Sequence, residues 1–328
     1  MAKTVLVHEL GGPEVLKIED MDVGVPGEGE VRIRVQAIGL NRAEAMFRAG
    51  KYPIQPELPT KIGYEAYGAV KEIGPGVTGW KPGDAACVMP NFRLGTYGVW
   101  GEEAIVPVTS LIAPPPGLSP EECASIWMQY FTALAIIEGA RATVDDHVVI
   151  RAASSSVGLA AIQLANWAGA VSIAATRTNA KRDALLQHGA QHVVATEEQD
   201  YVEEVMRITN GKGARIVFDP VGGPFVEKLA ESMSERGILF IYGGLSEQDT
   251  PYPHWQSAFK GLSIRGWIAS EIWHHPHRFE RHKNLIYQGL ERGKLKPVIS
   301  KTFPFDQIAE ANRYLESNRQ VGKIIVTV

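Results

Sequence analysis

The sequence predicts an α/β protein made of a doubly wound parallel sheet and a second, irregular, mostly β domain. Between His147 and Tyr242 short apolar runs alternate with segments of helical spacing, the pattern of strands joined by helices that cover both faces of a parallel sheet. Before residue 120 the chain is strand-like and closely punctuated by Gly and Pro. Its 328 residues also suit two domains, at about 150 residues each.

In the first third, Glu30, Arg32, Arg34 and Gln36 alternate with Val31, Ile33, Val35 and Ala37, the period-2 signature of a strand with one wet face. Pro53, Pro56, Pro59, Gly63, Gly68, Gly74-Pro75-Gly76, Gly79 and Pro82-Gly83 then mark short strands joined by tight turns. After Pro120 the rhythm changes. A strand at His147 to Ala152 leads into Val157, Ala160, Ala161, Leu164, Ala165 and Ala168 at helical spacing, closed by Gly169. Strands at Val171 to Ala175, His192 to Ala195, Ala214 to Asp219 and Gly237 to Tyr242 alternate with helices at Asn179 to His188, Gln199 to Thr209 and Pro224 to Met233. The tail from Trp273 reads as one or two helices and a last strand, Lys323 to Val328, that rejoins the first domain. The expected division is 1–124 with 269–328 for the mostly β domain and 125–268 for the α/β domain.

Composition excludes several classes. Charged residues are 21% and hydrophobic ones 45%, which leaves out disordered and collagen-like chains. A net charge of -4 offers no basic surplus for a phosphate backbone. Two cysteines, Cys87 and Cys123, supply neither a disulfide framework nor a four-Cys zinc lobe, and they read as small buried hydrophobes. The N-terminus lacks the features of a signal peptide, and no apolar run has the length of a membrane span. The expectation is a cytoplasmic protein acting on a small molecule.

In a doubly wound sheet the first strand-to-helix turn meets a dinucleotide's pyrophosphate. That turn is Arg151-Ala152-Ala153-Ser154-Ser155-Ser156-Val157-Gly158. Small residues and free N–H groups at the helix start suit an anion, although a serine-rich helix cap would look the same. After the second strand come Thr176, Arg177 and Lys181 with no acid among them. An arginine there accommodates a 2′-phosphate where an acid would select a 2′-hydroxyl, so the expected cofactor is NADPH. The competing reading is a solvated basic helix start.

The chain resembles the medium-chain dehydrogenase/reductases, in particular their zinc-independent quinone oxidoreductase branch. The likeness rests on Gly11 to Leu16, Gly39-Leu40-Asn41-Arg42-Ala43-Glu44, Gly63-Tyr64-Glu65-Ala66-Tyr67-Gly68, Gly74-Pro75-Gly76-Val77 and Gln129-Tyr130-Phe131-Thr132-Ala133. It continues in Ser156 to Ala161, Asp219-Pro220-Val221-Gly222-Gly223 and Gly322-Lys323. It implies a Rossmann-type α/β domain, a GroES-like catalytic domain and a homodimer. Zinc-dependent relatives bind their metal at positions that here read Asn41, Tyr64 and Met128, a poor set for Zn²⁺, so no metal is expected. The resemblance further implies hydride transfer from NADPH to a quinone or conjugated carbonyl. Asn41, Tyr52 and Tyr64 would face the acceptor. The nicotinamide would lie near Thr132, Tyr242-Gly243-Gly244 and Gly266-Trp267, with Lys323 added to the cofactor set. Ser155 and Ser156 replace the branch's usual glycines, and Tyr64 and Tyr67 are bulky for their places. His274, His275 and His277 do not have the spacing of a zinc helix and read as a polar rim or a subunit contact. An enoyl-thioester reductase, a zinc-free alcohol dehydrogenase and a non-catalytic NADPH-binding protein are the alternatives.

Overall fold

The computed structural model describes residues 1–328. The chain folds as two compact units, residues 1–128 with 297–328 and residues 129–296.

The first unit is mostly β. A seven-stranded sheet runs Ile299–Pro304, Lys323–Thr327, Glu30–Gly39, Glu65–Ile73, Ala85–Val88 and Leu111–Ile112, with Glu103–Pro107 also paired to Glu30–Gly39. The last strand of the chain pairs antiparallel with Glu30–Gly39, Ile325 opposite Gly39, so the terminus does rejoin the first domain. The alternation expected from Glu30 is present: Val31, Ile33, Val35 and Ala37 are buried. Val5, Phe47, Trp100, Ile308 and Val326 complete that core. A helix at Arg42–Arg48 interrupts the β pattern, opened by Asn41 in extended conformation with Glu44 three residues on, a local start signal.

The second unit is the doubly wound sheet. Its six strands, all parallel, lie in the order His192–Ala195, Val171–Thr176, His147–Arg151, Ala214–Asp219, Met233–Ile241, Ser263–Gly266. The order reverses between His147–Arg151 and Ala214–Asp219, and ligands of such sheets bind outside the strand ends at that switch. Helix Ser156–Trp167 follows the first strand.

The structure corrects three element boundaries. The expected helix at Asn179 to His188 opens as a 3₁₀ turn over Asn179–Lys181 and becomes α-helical only at Arg182–Gln187. The helix after Pro224 spans only Val226–Glu231, and the following strand begins at Met233, not Gly237. The tail expected to leave the second unit at 269 stays in it to Lys296. Helix Pro276–Glu291 is held there by Glu138, which bonds Arg278 at 3.1 Å, Arg281 at 2.7 Å and His282 at 3.0 Å, and by Phe131, which stacks on Phe279. Cys87 and Cys123 are both buried. No helix is long and apolar enough to cross a membrane.

Candidate active site

In the second unit, the expected cofactor residues collect at the carboxyl ends of the strands. Ser155 caps helix Ser156–Trp167, its Oγ accepting from Gly158 N at 3.0 Å, so the capping reading holds for this serine. A Cβ on Gly158 would stand 2.6 Å from Ala153 O. Only glycine lets the first helical turn, with Ser156 and Val157, lie this close to the preceding loop.

Beside this turn, Lys181 Nζ donates to Ser154 Oγ at 2.9 Å. Burial, and then the Arg177 charge, draw Lys181 below the usual lysine range. Arg177 is exposed at the end of strand Val171–Thr176 and makes no ion pair. The Thr176 carbonyl accepts from Thr196 N at 2.8 Å and so serves the fold. Two cations thus share a corner, and the acid nearest in the chain's hydrogen bonding, Glu198, is committed to Asn179.

At the other end of the sheet, Tyr242 stacks on Phe218 with ring centroids 3.9 Å apart, and its hydroxyl is buried without a hydrogen-bond partner. Burial raises that phenol well above its ordinary value. A Cβ on Gly243 would stand 2.7 Å from Pro220 O, while Gly244 and Gly266 face open space. Trp267 Nε1 donates to the Thr132 carbonyl at 2.8 Å, which joins two expected residues and gives the indole a holding role.

The sequence reading passed over the pair at the switch point. Arg151 Nη1 lies 3.2 Å from Asp219 Oδ1 and 3.4 Å from Gly222 O, with its guanidinium 4.5 Å over the Phe225 ring. Asp219 also accepts from Val221 N at 2.8 Å and Gly222 N at 3.0 Å. Burial pushes this carboxyl up while Arg151 and the two N–H groups pull it down. The pair sets the loop after the fourth strand. A charged residue closing two apolar strands that the predicted order makes neighbours was the available signal.

In the first unit, Asn41, Tyr64 and Met128 meet around two buried carboxylates. Glu44 accepts from Asn41 N at 2.6 Å and Tyr64 N at 2.7 Å. Burial pushes Glu44 up to about 7 against the pull of those N–H groups and Lys323. Glu65 accepts from Trp127 N at 2.7 Å and Met128 N at 3.1 Å. Lys323 Nζ donates to Glu65 Oε2 at 2.6 Å and Asn41 Oδ1 at 2.7 Å. Lys323 is 1% exposed, and its ammonium is held inside the first unit by Glu65 and Asn41. Tyr64 is buried, 5.8 Å from Phe92 in ring separation, and Tyr52 packs half-buried at the edge of the same cluster. Burial, then the neighbouring Tyr52 hydroxyl, raise the Tyr64 phenol far above its ordinary value, so it stays a proton donor.

A family model for the alcohol dehydrogenase GroES-like domain matches residues 27–116, and one for zinc-binding dehydrogenases matches residues 156–285. A 2-haloacrylate reductase from a Burkholderia species is 28% identical over 337 residues, 99% of each chain. Among solved structures, an NAD-dependent alcohol dehydrogenase is 30% identical with a TM-score of 0.89, covering 99% of each chain. Escherichia coli quinone oxidoreductase complexed with NADPH is 26% identical with a TM-score of 0.92, covering 100% of each chain. The chain belongs to the medium-chain dehydrogenase/reductase superfamily, in its quinone oxidoreductase branch.

It is therefore an enzyme of the medium-chain reductase type, with a Rossmann-like unit and a GroES-like unit. A nicotinamide cofactor fits the second unit of this reductase: a cationic corner, close-approach glycines and an orphaned buried hydroxyl stand at the strand ends. Zinc does not fit the first. The positions in question are Asn41, Tyr64 and Met128. Those positions present an amide oxygen already bound by an ammonium, a phenol held protonated and a thioether, whereas Zn²⁺ takes thiolate, imidazole or carboxylate. No group of three or more His, Cys, Asp or Glu side chains is arranged to hold a metal, and His274, His275 and His277 stand exposed at the ends of two helices.

Proposed function

We propose that this reductase transfers hydride from NADPH to quinones and other conjugated carbonyl compounds without zinc. The observation that carries the reading is the first unit's donor set: an amide, a phenol and a thioether (Asn41, Tyr64 and Met128) stand where a zinc-dependent relative has its ligands, with a second phenol, Tyr52, packed beside them. The 2-haloacrylate reductase and the quinone oxidoreductase are both named for conjugated acceptors, and the latter was solved with NADPH.

Bound NADPH supplies the hydride. The helix start would present the N–H groups of Ser156 and Val157 to the pyrophosphate, while Gly158, whose N–H is capped by Ser155, would let the turn approach closely. Ser154, Arg177 and Lys181 would hold the 2′-phosphate by charge-assisted hydrogen bonds, and the backbone of Tyr242, Gly243 and Gly244, with Thr132, would hold the nicotinamide end. In a conjugated acceptor that takes a hydride, the displaced electron pair collects on the conjugated oxygen. A phenol O–H from Tyr52 or Tyr64 would stabilise that oxygen by a hydrogen bond as charge develops, and the O–H is present at neutral pH because a phenol's pKa is about 10. An isolated carbonyl has no such relay, and nothing in this donor set polarises it as a metal would.

Arg177→Ala should raise KM for NADPH about tenfold, the scale of one lost charged hydrogen bond, with kcat near wild type and KM for NADH unchanged. Wild-type protein that binds NADH and NADPH equally would contradict the cofactor choice.

The enzyme is also proposed to be a homodimer. Strand Ser263–Gly266 ends the six-stranded sheet with an unpaired edge. In the same unit Trp255, Phe259 and Ile268 are 67%, 82% and 60% exposed. An edge strand with large exposed apolar groups invites pairing with another chain. Sedimentation equilibrium should give a mass near twice 35.8 kDa, and Phe259→Glu should shift it toward the monomer. A monomeric wild type would overturn this.

A further inference from the structure

We propose that Lys323 and Glu65 are positioning residues for the reduction, fixing and polarising the Asn41 amide so that an N–H, not its oxygen, faces the acceptor. This rests on the reductase reading above. An asparagine side chain has an acceptor end and a donor end of nearly the same shape, and the surrounding charges decide which points where. Lys323 Nζ donates to Asn41 Oδ1 at 2.7 Å, and Asn41 Nδ2 donates to Gly39 O at 3.1 Å. A flipped amide would set its NH₂ against an ammonium and its oxygen against a carbonyl. Both contacts would become repulsive.

The ammonium is fixed in its turn. Glu65 Oε2 accepts from it at 2.6 Å, and Glu65 Oε1 is pinned by the N–H groups of Trp127 and Met128. Glu44 ties the Asn41 backbone to that of Tyr64. Glu44 and Glu65 are fully buried and Lys323 is 1% exposed, whereas Asn41 keeps 8%. Of these four residues, all buried, Asn41 is the most exposed. One of its amide protons is spent on Gly39, and the other has no partner in the protein. A cation on Oδ1 draws density from the amide nitrogen and strengthens that remaining donor, since linked hydrogen bonds polarise one another where the dielectric is low. A donor of this kind acts more on an oxygen gaining charge during hydride transfer than on the neutral acceptor. The buried ion pair thus serves Asn41 and touches no substrate itself.

The test is steady-state kinetics with NADPH and 1,4-naphthoquinone, with NADPH affinity read from cofactor fluorescence. Asn41→Asp keeps a partner for Lys323 and removes the N–H; kcat should fall about 30-fold or more, with NADPH affinity changed by less than about twofold. Lys323→Met combined with Glu65→Gln removes the polarising charge without stranding a carboxylate, since a glutamine oxygen can still accept from Trp127 and Met128. It should lower kcat about tenfold. Adding Asn41→Asp to that pair should cost less than it does alone, because the three act through one group. A double variant with wild-type kcat, or losses that simply multiply, would overturn the proposal. If the double variant does not fold, Lys323→Gln, which keeps a donor for both partners, decides instead: lowered kcat supports the proposal and unchanged kcat overturns it. A wild type that turns over no quinone and no enone would be a failure of the reductase reading, not of this assignment.

Discussion

Tyr52→Phe should lower kcat for a conjugated acceptor by about 10- to 1000-fold while NADPH affinity stays near wild type, because the lost hydrogen bond is made mainly in the transition state. Tyr64 is 6% exposed and packs against Phe92, with its hydroxyl beside Tyr52 and the Leu94 backbone, whereas Tyr52 is half-buried. On the proposed reading, the more accessible phenol would reach the acceptor and the buried one would orient it. Tyr64→Phe should therefore cost less than about tenfold. Stopped-flow rates of NADPH oxidation for the two variants check the order. If Tyr64→Phe carries the larger loss, the donor role moves to Tyr64. If neither loses activity, the phenols play no part in the reaction.

Lys323→Met alone should destabilise the protein by about 3–5 kcal/mol, because it leaves Glu65 charged, buried and facing no cation. The ion pair is 2.6 Å long with both side chains inaccessible to solvent, so water cannot take the ammonium's place. Thermal unfolding should show a melting point lower by about 4–7 °C, with most of the loss restored when Glu65→Gln is added. Equal melting points for wild type and Lys323→Met would mean that the pair contributes nothing to stability.

The parallel sheet could be read from the sequence because its signal is local. Apolar runs such as Val171 to Ala175 and Ala214 to Asp219, set between helical spacings, need no knowledge of distant residues. The cationic corner was legible for the same reason: Arg177 and Lys181 follow the second strand directly, and Lys181 does reach Ser154. Long-range pairing is what the pattern does not encode. Glu138 holds Arg278 and Arg281 from 140 and 143 residues away, and that attachment keeps helix Pro276–Glu291 in the second unit beyond the expected boundary at 269. Lys323 meets Glu65 across 258 residues. From sequence its place in a terminal motif suggested cofactor contact, and only the pairing of the last strand with Glu30–Gly39 carries it to Asn41. Asn41 itself looked like an acceptor-facing residue, and it is also the residue that opens helix Arg42–Arg48.

The most direct measurement takes protein dialysed against a strong chelator and compares NADPH oxidation by 1,4-naphthoquinone and a simple enone with NADP⁺ reduction by secondary alcohols. The account predicts that quinone or enone turnover persists at the undialysed rate and exceeds any alcohol oxidation. Loss of activity together with stoichiometric zinc, or alcohol oxidation faster than reduction of every conjugated acceptor, would contradict it.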